Sequence, residues 1–161
     1  LVINAGIAGG FPSRADLQSI VISTEIVAAE LGVETPEGFC FVDELGFGTA
    51  RFTVDPLLVS RLANKIKATG LNVSQGPILT VTTATGTEET AMERMDRVPG
   101  AAAEGMEGYG VAAAAQHFGI PVVEIRAISN KVGLRDRKAW KISEALESLA
   151  IASSILPEVI E

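Results

Sequence analysis

The sequence predicts an α/β fold of three layers, α/β/α, with a mixed, mainly parallel central sheet. Two observations carry that expectation. Short apolar or β-branched runs alternate with longer segments of helical periodicity, the pattern of strands joined by helical crossovers. The chain of 161 residues, 47% of them hydrophobic and 20% charged, also has the length and the apolar material for one domain with a sizeable core.

The elements follow in order. Residues 1–5 form an apolar run that Gly6, Gly9 and Gly10 close, read as a buried strand ending in a tight glycine turn. A chain that opens inside its core, without Met or lead-in, is expected to be an N-terminally truncated fragment of a single domain spanning residues 1–161. Residues 19–24 (SIVIST) and 39–42 read as strands. Asp55 and Pro56 then supply a helix cap and first-turn proline. Leu58, Leu62 and Ile66 give that helix one apolar face, and Gly70 stops it. Residues 77–83 (PILTVTT) read as a buried strand and 88–97 as a helix, acidic at its start and basic at its end. The Ala-rich, nearly uncharged segment 106–118 predicts a helix packed on most sides. Residues 121–129 (PVVEIRAIS) are the clearest strand. Residues 138–156 predict an amphipathic helix with Ile142, Leu146, Leu149 and Ala152 on its buried stripe.

Charge and cysteine usage exclude several functions. Thirteen basic against twenty acidic residues give −7, which opposes a phosphate-tracking nucleic-acid protein but not the binding of an uncharged nucleoside. Cys40 is the single cysteine and His117 the single histidine, so no disulfide framework, no His/Cys zinc site and no Ser/His/Asp triad are expected. No apolar stretch approaches the roughly 20 residues of a membrane span, despite a mean hydropathy of +0.32. With no secretory signal in view, a cytoplasmic setting with no membrane partner is expected.

In parallel sheets, ligands sit beyond the carboxyl ends of strands. Residues 6–11, 83–90 and 129–133 fall at such ends, and 104–107 open the Ala-rich helix, so these four segments are expected to converge on one site. Gly6-Ile7-Ala8-Gly9-Gly10 fails the spacing of a dinucleotide-binding glycine motif, because Ala8 stands where the second glycine belongs, and it lacks a P-loop lysine. Glu107 reads either as a ligand acceptor or as an acid resting on the helix dipole. Arg126 reads as a site residue or as an ion-pair partner of Glu124 or Glu107. Asn130 reads as a site or turn residue, and Trp140 as a pocket wall or core anchor. His117, Cys40 and Tyr109 read as structural.

Together these segments resemble the nucleoside phosphorylase and nucleosidase superfamily. NAGIAGGF (4–11) looks like its first glycine turn, EGMEGYG (104–110) like its ribose-binding helix start, and RAISN (126–130) like its R-A-I-S-D signature. The V-G-x-R-D-R that follows (132–137) is most similar to the futalosine hydrolase branch, whose members remove hypoxanthine from futalosine in an alternative menaquinone pathway. The resemblance implies a nucleoside phosphorylase-like fold lacking its N-terminal strands, and a small-molecule nucleoside substrate with no metal or cofactor. Glu107 would bind the ribose hydroxyls, Met106 would pack on the sugar, and Arg126 would sit near the water or sugar. Asn130 takes the place of the aspartate that protonates the purine in adenine-releasing relatives. Ala84 and Thr85 would flank the base, with Ile7, Ala8, Gly9 and Gly105 completing the substrate contacts. Trp140 matches an aromatic beside the 5′ substituent. Phe47, within ELGFG (44–48), resembles an aromatic donated from a neighbouring subunit, which implies a homo-oligomer. Relatives activate water with a glutamate that would lie upstream of Leu1.

The chemistry accounts for these residue types. Cleaving an N-ribosidic bond builds an oxocarbenium-like sugar, as in glycosidases, which a carboxylate on the sugar hydroxyls stabilises. A 6-oxopurine offers acceptors at N7 and O6, whereas adenine offers an acceptor beside a donor. The Asn130 amide has two N–H donors, so hypoxanthine is the expected leaving group, although an amide cannot act as a general acid. The benzoate of futalosine would need an aromatic wall (Trp140, Phe47) and a cation (Lys131, Arg135, Arg137 or Arg51). Competing readings are a purine nucleoside phosphorylase, with Arg14 or Arg51 holding phosphate, a methylthioadenosine or adenosylhomocysteine nucleosidase, and a non-catalytic nucleoside-binding protein.

Overall fold

A computed structural model of the chain describes residues 1–160, the side chain of residue 160 excepted. Along it run β1 (Val2–Gly10), β2 (Ile20–Ala28), β3 (Gly32–Thr35), β4 (Gly38–Phe41), β5 (Arg51–Thr53), α1 (Pro56–Lys67) and β6 (Val73–Thr80). Then follow α2 (Glu88–Arg97), β7 (Ala103–Gly105), α3 (Gly108–His117), β8 (Val122–Lys131), α4 (Ile142–Ser154) and α5 (Leu156–Ile160). The expected α/β architecture with a mixed central sheet is present.

Six strands form that sheet in the order β5-β2-β6-β7-β1-β8. The β1–β8, β2–β6 and β6–β7 ladders are parallel, and β5–β2 and β7–β1 are antiparallel. Ile20, Val21 and Ile22 of β2 also pair antiparallel with Ala127, Arg126 and Ile125 of β8, so the sheet closes on itself. Closure removes exposed strand edges there and leaves a narrow interior. Ala8, Val21, Ile78, Ala103 and Ile128 fill it, one from each of the five strands in the ring. Outside the ring, α1, α3 and α4 pack Leu62, Ile66, Ala112 and Ala145 against Ile20, Ile22 and Ile125. Helix α2 packs Ala91 into a second cluster with Phe11, Val27, Leu79 and Val81.

Local chemistry sets the helix ends. Asp55 caps α1 by accepting from the Leu57 amide at 2.9 Å. Gly70 follows α1 with φ +91°, a left-handed conformation that suits glycine. Thr87 caps α2 by accepting from the Thr90 amide, and Glu88 and Glu89 lie in its first turn.

Three expectations need correction. The segment 6–10 is not a turn: β1 runs through all its glycines, with a bulge between Ala8 and Gly9. Close approach, not backbone curvature, calls for glycine here. A Cβ on Gly6 would lie 2.5 Å from the Arg126 guanidinium, and one on Gly10 would lie 2.6 Å from the Ala15 carbonyl. The strand read at 39–42 is present as β4, which pairs with β3 in a separate hairpin turning at Gly38, φ +123°. Helix α3 is not packed on most sides; it buries Gly108, Ala112 and Ala115 and leaves Phe118 beside its end 74% exposed. Helix α4 begins at Ile142, after a 3-10 turn over Arg137–Ala139, and buries Ala145, Ser148 and Ala152. Ile142 and Leu146 therefore face outward instead of lying on the buried stripe.

Gly10→Ala forces a methyl against backbone on one side and Ile128 on the other. It is expected to cost about 1–3 kcal/mol, read as a lower urea midpoint with unchanged slope.

Candidate active site

The parallel pairing of β1 with β8, and of β6 with β7, brings the carboxyl ends of these strands together. A cavity of about 200 Å³ opens there. β1 contributes Ile7, Ala8 and Gly9 to it, and the loop after β6 contributes Ala84 and Thr85. The junction of β7 with α3 adds Gly105, Met106 and Glu107, and the end of β8 adds Asn130. Trp140, from the connection before α4, makes part of the rim. The four segments singled out in the sequence thus meet at one place. Arg126 lies just behind the wall, paired to Glu107. Phe47 does not reach the cavity of its own chain and is 82% exposed.

Arg126 is the electrostatic centre. It is 4% exposed and sits on β8, one turn of the pleat from Glu124, which is fully buried. Its Nε donates to Glu124 Oε1 at 2.6 Å and its Nη1 to the Ile7 carbonyl at 3.1 Å. Its Nη2 lies 2.8 Å from Glu107 Oε2, an ion pair at the cavity surface. Arg126 therefore pairs with both carboxylates weighed as alternatives in the sequence. Glu107 makes no side-chain cap to α3, so that guanidinium, not the helix terminus, holds it. Removing one partner of the buried Arg126–Glu124 pair costs roughly 3–5 kcal/mol.

Three glycines make room for this pair. Gly6 and Gly105 lie against the guanidinium, and a Cβ on Gly108 would collide with the Glu124 carboxylate. Glu124 also accepts from Asn4 Nδ2 at 3.3 Å, yet its Oε2 has no hydrogen-bond partner. Burial pushes its carboxyl above the ordinary value of 4.5, against the pull of Arg126.

At the end of β8, Ser129 Oγ donates to Asn130 Oδ1 at 2.9 Å, the shorter of its two contacts, the other being the Ala8 carbonyl at 3.3 Å. The amide's acceptor is thereby engaged and its donor end is left for other partners. One N–H reaches the exposed Lys131 carbonyl at 3.1 Å. Lys131 and Arg135 also line the cavity, and the Arg135 guanidinium lies 5.5 Å from the Trp140 ring centroid. Arg51, by contrast, pairs with Glu25 and stacks on Phe41, and neither it nor Arg14 or Arg137 lines the cavity.

Glu104 lies in an expected segment but is not singled out by the sequence, and neither are Arg94 and Glu30. Glu104 lines the cavity and accepts the Thr85 amide at 2.8 Å, and Arg94 joins it to Glu30. An uncompensated acid, Glu104, three residues before Glu107 was the available signal; its arginine partner carries none, being one of several charges on a polar helix. Among the described residues, no group of three or more His, Cys, Asp or Glu side chains is arranged to hold a metal ion. No helix among them is long and apolar enough to cross a membrane.

Comparison with known proteins places these observations in context. The profile of the phosphorylase superfamily matches residues 1–161. Futalosine hydrolase of Streptomyces coelicolor is 48% identical over 161 residues, and futalosine hydrolase of Acidothermus cellulolyticus 44% identical over 156. These alignments take in 100% and 97% of the chain, which spans 66% and 64% of the length of those relatives. The methylthioadenosine/adenosylhomocysteine nucleosidase of Neisseria meningitidis, solved with methylthio-immucillin-A, superposes with a TM-score of 0.78 at 24% identity. That superposition covers 99% of this chain and 68% of that one, and shows a shared fold.

As the pH climbs past 4.5, the folded chain keeps a proton on Glu124 that the unfolded chain has lost. Unfolding free energy should therefore fall with rising pH across the interval between the two values. Glu124→Gln is expected to abolish that part of the slope, measured by urea titrations at stepped pH above 4.5.

Proposed function

This chain belongs to the phosphorylase superfamily, and from that premise we propose that it carries the site of an N-ribosyl hydrolase releasing hypoxanthine from futalosine, in the futalosine route to menaquinone. The observation that carries the substrate assignment is the Ser129–Asn130 contact. With Oδ1 engaged by the serine hydroxyl, Asn130 presents N–H donors to whatever enters. A 6-oxopurine with acceptors at N7 and O6 matches that face, and the 6-amino group of adenine opposes it. One N–H is free for the base, and the second is released when the exposed Lys131 contact yields.

The reaction consumes one water. Its oxygen bonds to the anomeric carbon, the N-ribosidic bond breaks, and the bonding pair leaves with the purine. A proton from the water ends on the purine. Glu107, held by Arg126, is placed to bind the ribose hydroxyls and to favour the positive charge that grows on the sugar. Arg126 holds that carboxylate in place through the ion pair. Asn130 steadies the departing base without donating a proton to it, so the proton travels through solvent. Trp140 and Arg135 together offer an aromatic face and a cation for the benzoate end, with Lys131 a second cation beside them. Arg14 and Arg51, the cations a phosphate-using relative would need, lie outside the cavity lining. Identity of 48% and 44% to proteins named futalosine hydrolase supports the same substrate. The exposed Phe47 and the outward face of α3 support a homo-oligomer in which Phe47 reaches a neighbour's cavity. The lone half-buried thiol of Cys40 suits a reducing cytoplasm.

The direct test is base release by the full-length protein from futalosine, inosine and methylthioadenosine, with and without phosphate. Hypoxanthine from futalosine without phosphate is expected; adenine release, strict phosphate dependence, or tight binding without turnover would each replace this reading by a sister function. Asn130→Asp is expected to lower kcat/KM for the hypoxanthine nucleoside about tenfold to a hundredfold relative to an adenine nucleoside. An unchanged preference would remove Asn130 from base selection.

A further inference from the structure

One wall of the cavity hangs on residues to which the proposed reaction gives no part. Arg94 of α2 is 6% exposed. Its Nη1 donates to Glu104 Oε2 at 2.6 Å and to the Thr85 hydroxyl. Its Nη2 donates to Glu30 Oε1 at 2.6 Å and to the Thr83 carbonyl at 3.0 Å. The two carboxylates then hold the loop directly. Glu104 accepts the Thr85 amide at 2.8 Å and the Thr85 hydroxyl, while Glu30 accepts the Thr82 amide at 2.9 Å and the Thr82 hydroxyl. Residues 82–85 are thus tied at both ends to carboxylates that a single guanidinium joins.

This arrangement spends both oxygens of Glu104 on Thr85 and Arg94, so Glu104 is fixed as a support although it faces the cavity. It also stands apart from the Arg126 network. Among the described residues, no hydrogen bond or ion pair links the Arg94 group to Arg126, Glu124 or Glu107. The cavity therefore has two separately braced sides, one holding Glu107 and the other holding Ala84 and Thr85.

We propose that Arg94 is a positioning residue for the base subsite: through Glu104 and Glu30 it holds residues 82–85 as the wall against which a purine seats. This inference rests on the reading of the cavity as a nucleoside site. Because the two braces are separate, loss of Arg94 weakens recognition of the base and spares recognition of the sugar. A lysine at the same place keeps the charge but cannot span both carboxylates with a planar fork, so it restores only part of the effect.

The experiment measures inhibition by the two products separately, hypoxanthine and the sugar-side product, in the full-length protein and in Arg94→Met, Arg94→Lys and Glu30→Ala, with thermal unfolding of each. Arg94→Met is expected to raise the inhibition constant for hypoxanthine and the KM about tenfold, leaving the constant for the sugar-side product within about twofold. Arg94→Lys should fall between Arg94→Met and the unaltered protein. Glu30 has a side chain 32% exposed and lies outside the cavity, so Glu30→Ala decides the matter if Arg94→Met does not fold. A smaller rise confined to hypoxanthine is expected there. Equal losses for both products, or an unchanged hypoxanthine constant in folded Glu30→Ala, would overturn the positioning role alone. Failure of the unaltered protein to bind hypoxanthine would overturn the nucleoside reading and this inference with it.

Discussion

The arrangement of the site depends on one buried guanidinium. Arg126 donates hydrogen bonds to Glu124 inside the protein and to the Ile7 carbonyl on the neighbouring strand, and forms an ion pair with Glu107 at the cavity surface. Those contacts join β8, β1 and the start of α3, which are the elements that must meet for the cavity to exist. A charge this deep is tolerated only because its partners compensate it. Burial keeps Glu124 inclined to hold its proton, and the more it does so, the more of the Arg126 charge is left to Glu107.

That pair also accounts for the glycine content around the site. Gly6 and Gly105 flank the guanidinium, Gly108 backs the Glu124 carboxylate, and Gly9 lies under Asn130 and Val132. A methyl at any of these would push on a charged or site-facing group. Gly6 and Gly9 of the first motif are therefore volume constraints set by side chains more than a hundred residues away, and Gly105 and Gly108 of the second by side chains of β8. The Arg94 network does the equivalent work on the opposite wall, with carboxylates from the segment after β2 and from β7 converging on one loop. Polar pairs, not apolar packing, hold both walls, which suits a cavity whose expected occupant is itself polar.

What was legible in the chain was local. The Asp55-Pro56 helix start, the bounds of α2, and the strands near residues 20, 78 and 125 follow from caps, charge placement and periodicity, which need only neighbours within a few residues. Glu107, Arg126 and Asn130 stood out because a charge or amide at the end of an apolar run is costly without a purpose. The buried faces of α3 and α4 are not legible in the sequence, because each helix has more apolar positions than its contacts cover, and nothing local says which ones turn inward.

The sequence by itself determined the alternation of strands and helices, and hence an α/β sheet with its ligand-bearing segments at the strand ends. Only the tertiary structure decided that β2 closes the sheet onto β8, that the glycines of β1 serve an arginine instead of a turn, and that Arg94 belongs to the cavity wall. The physical reason is range. Helix caps and hydrophobic periods are written within one or two turns of chain, whereas strand closure, close approach and buried ion pairs depend on which distant segments become neighbours.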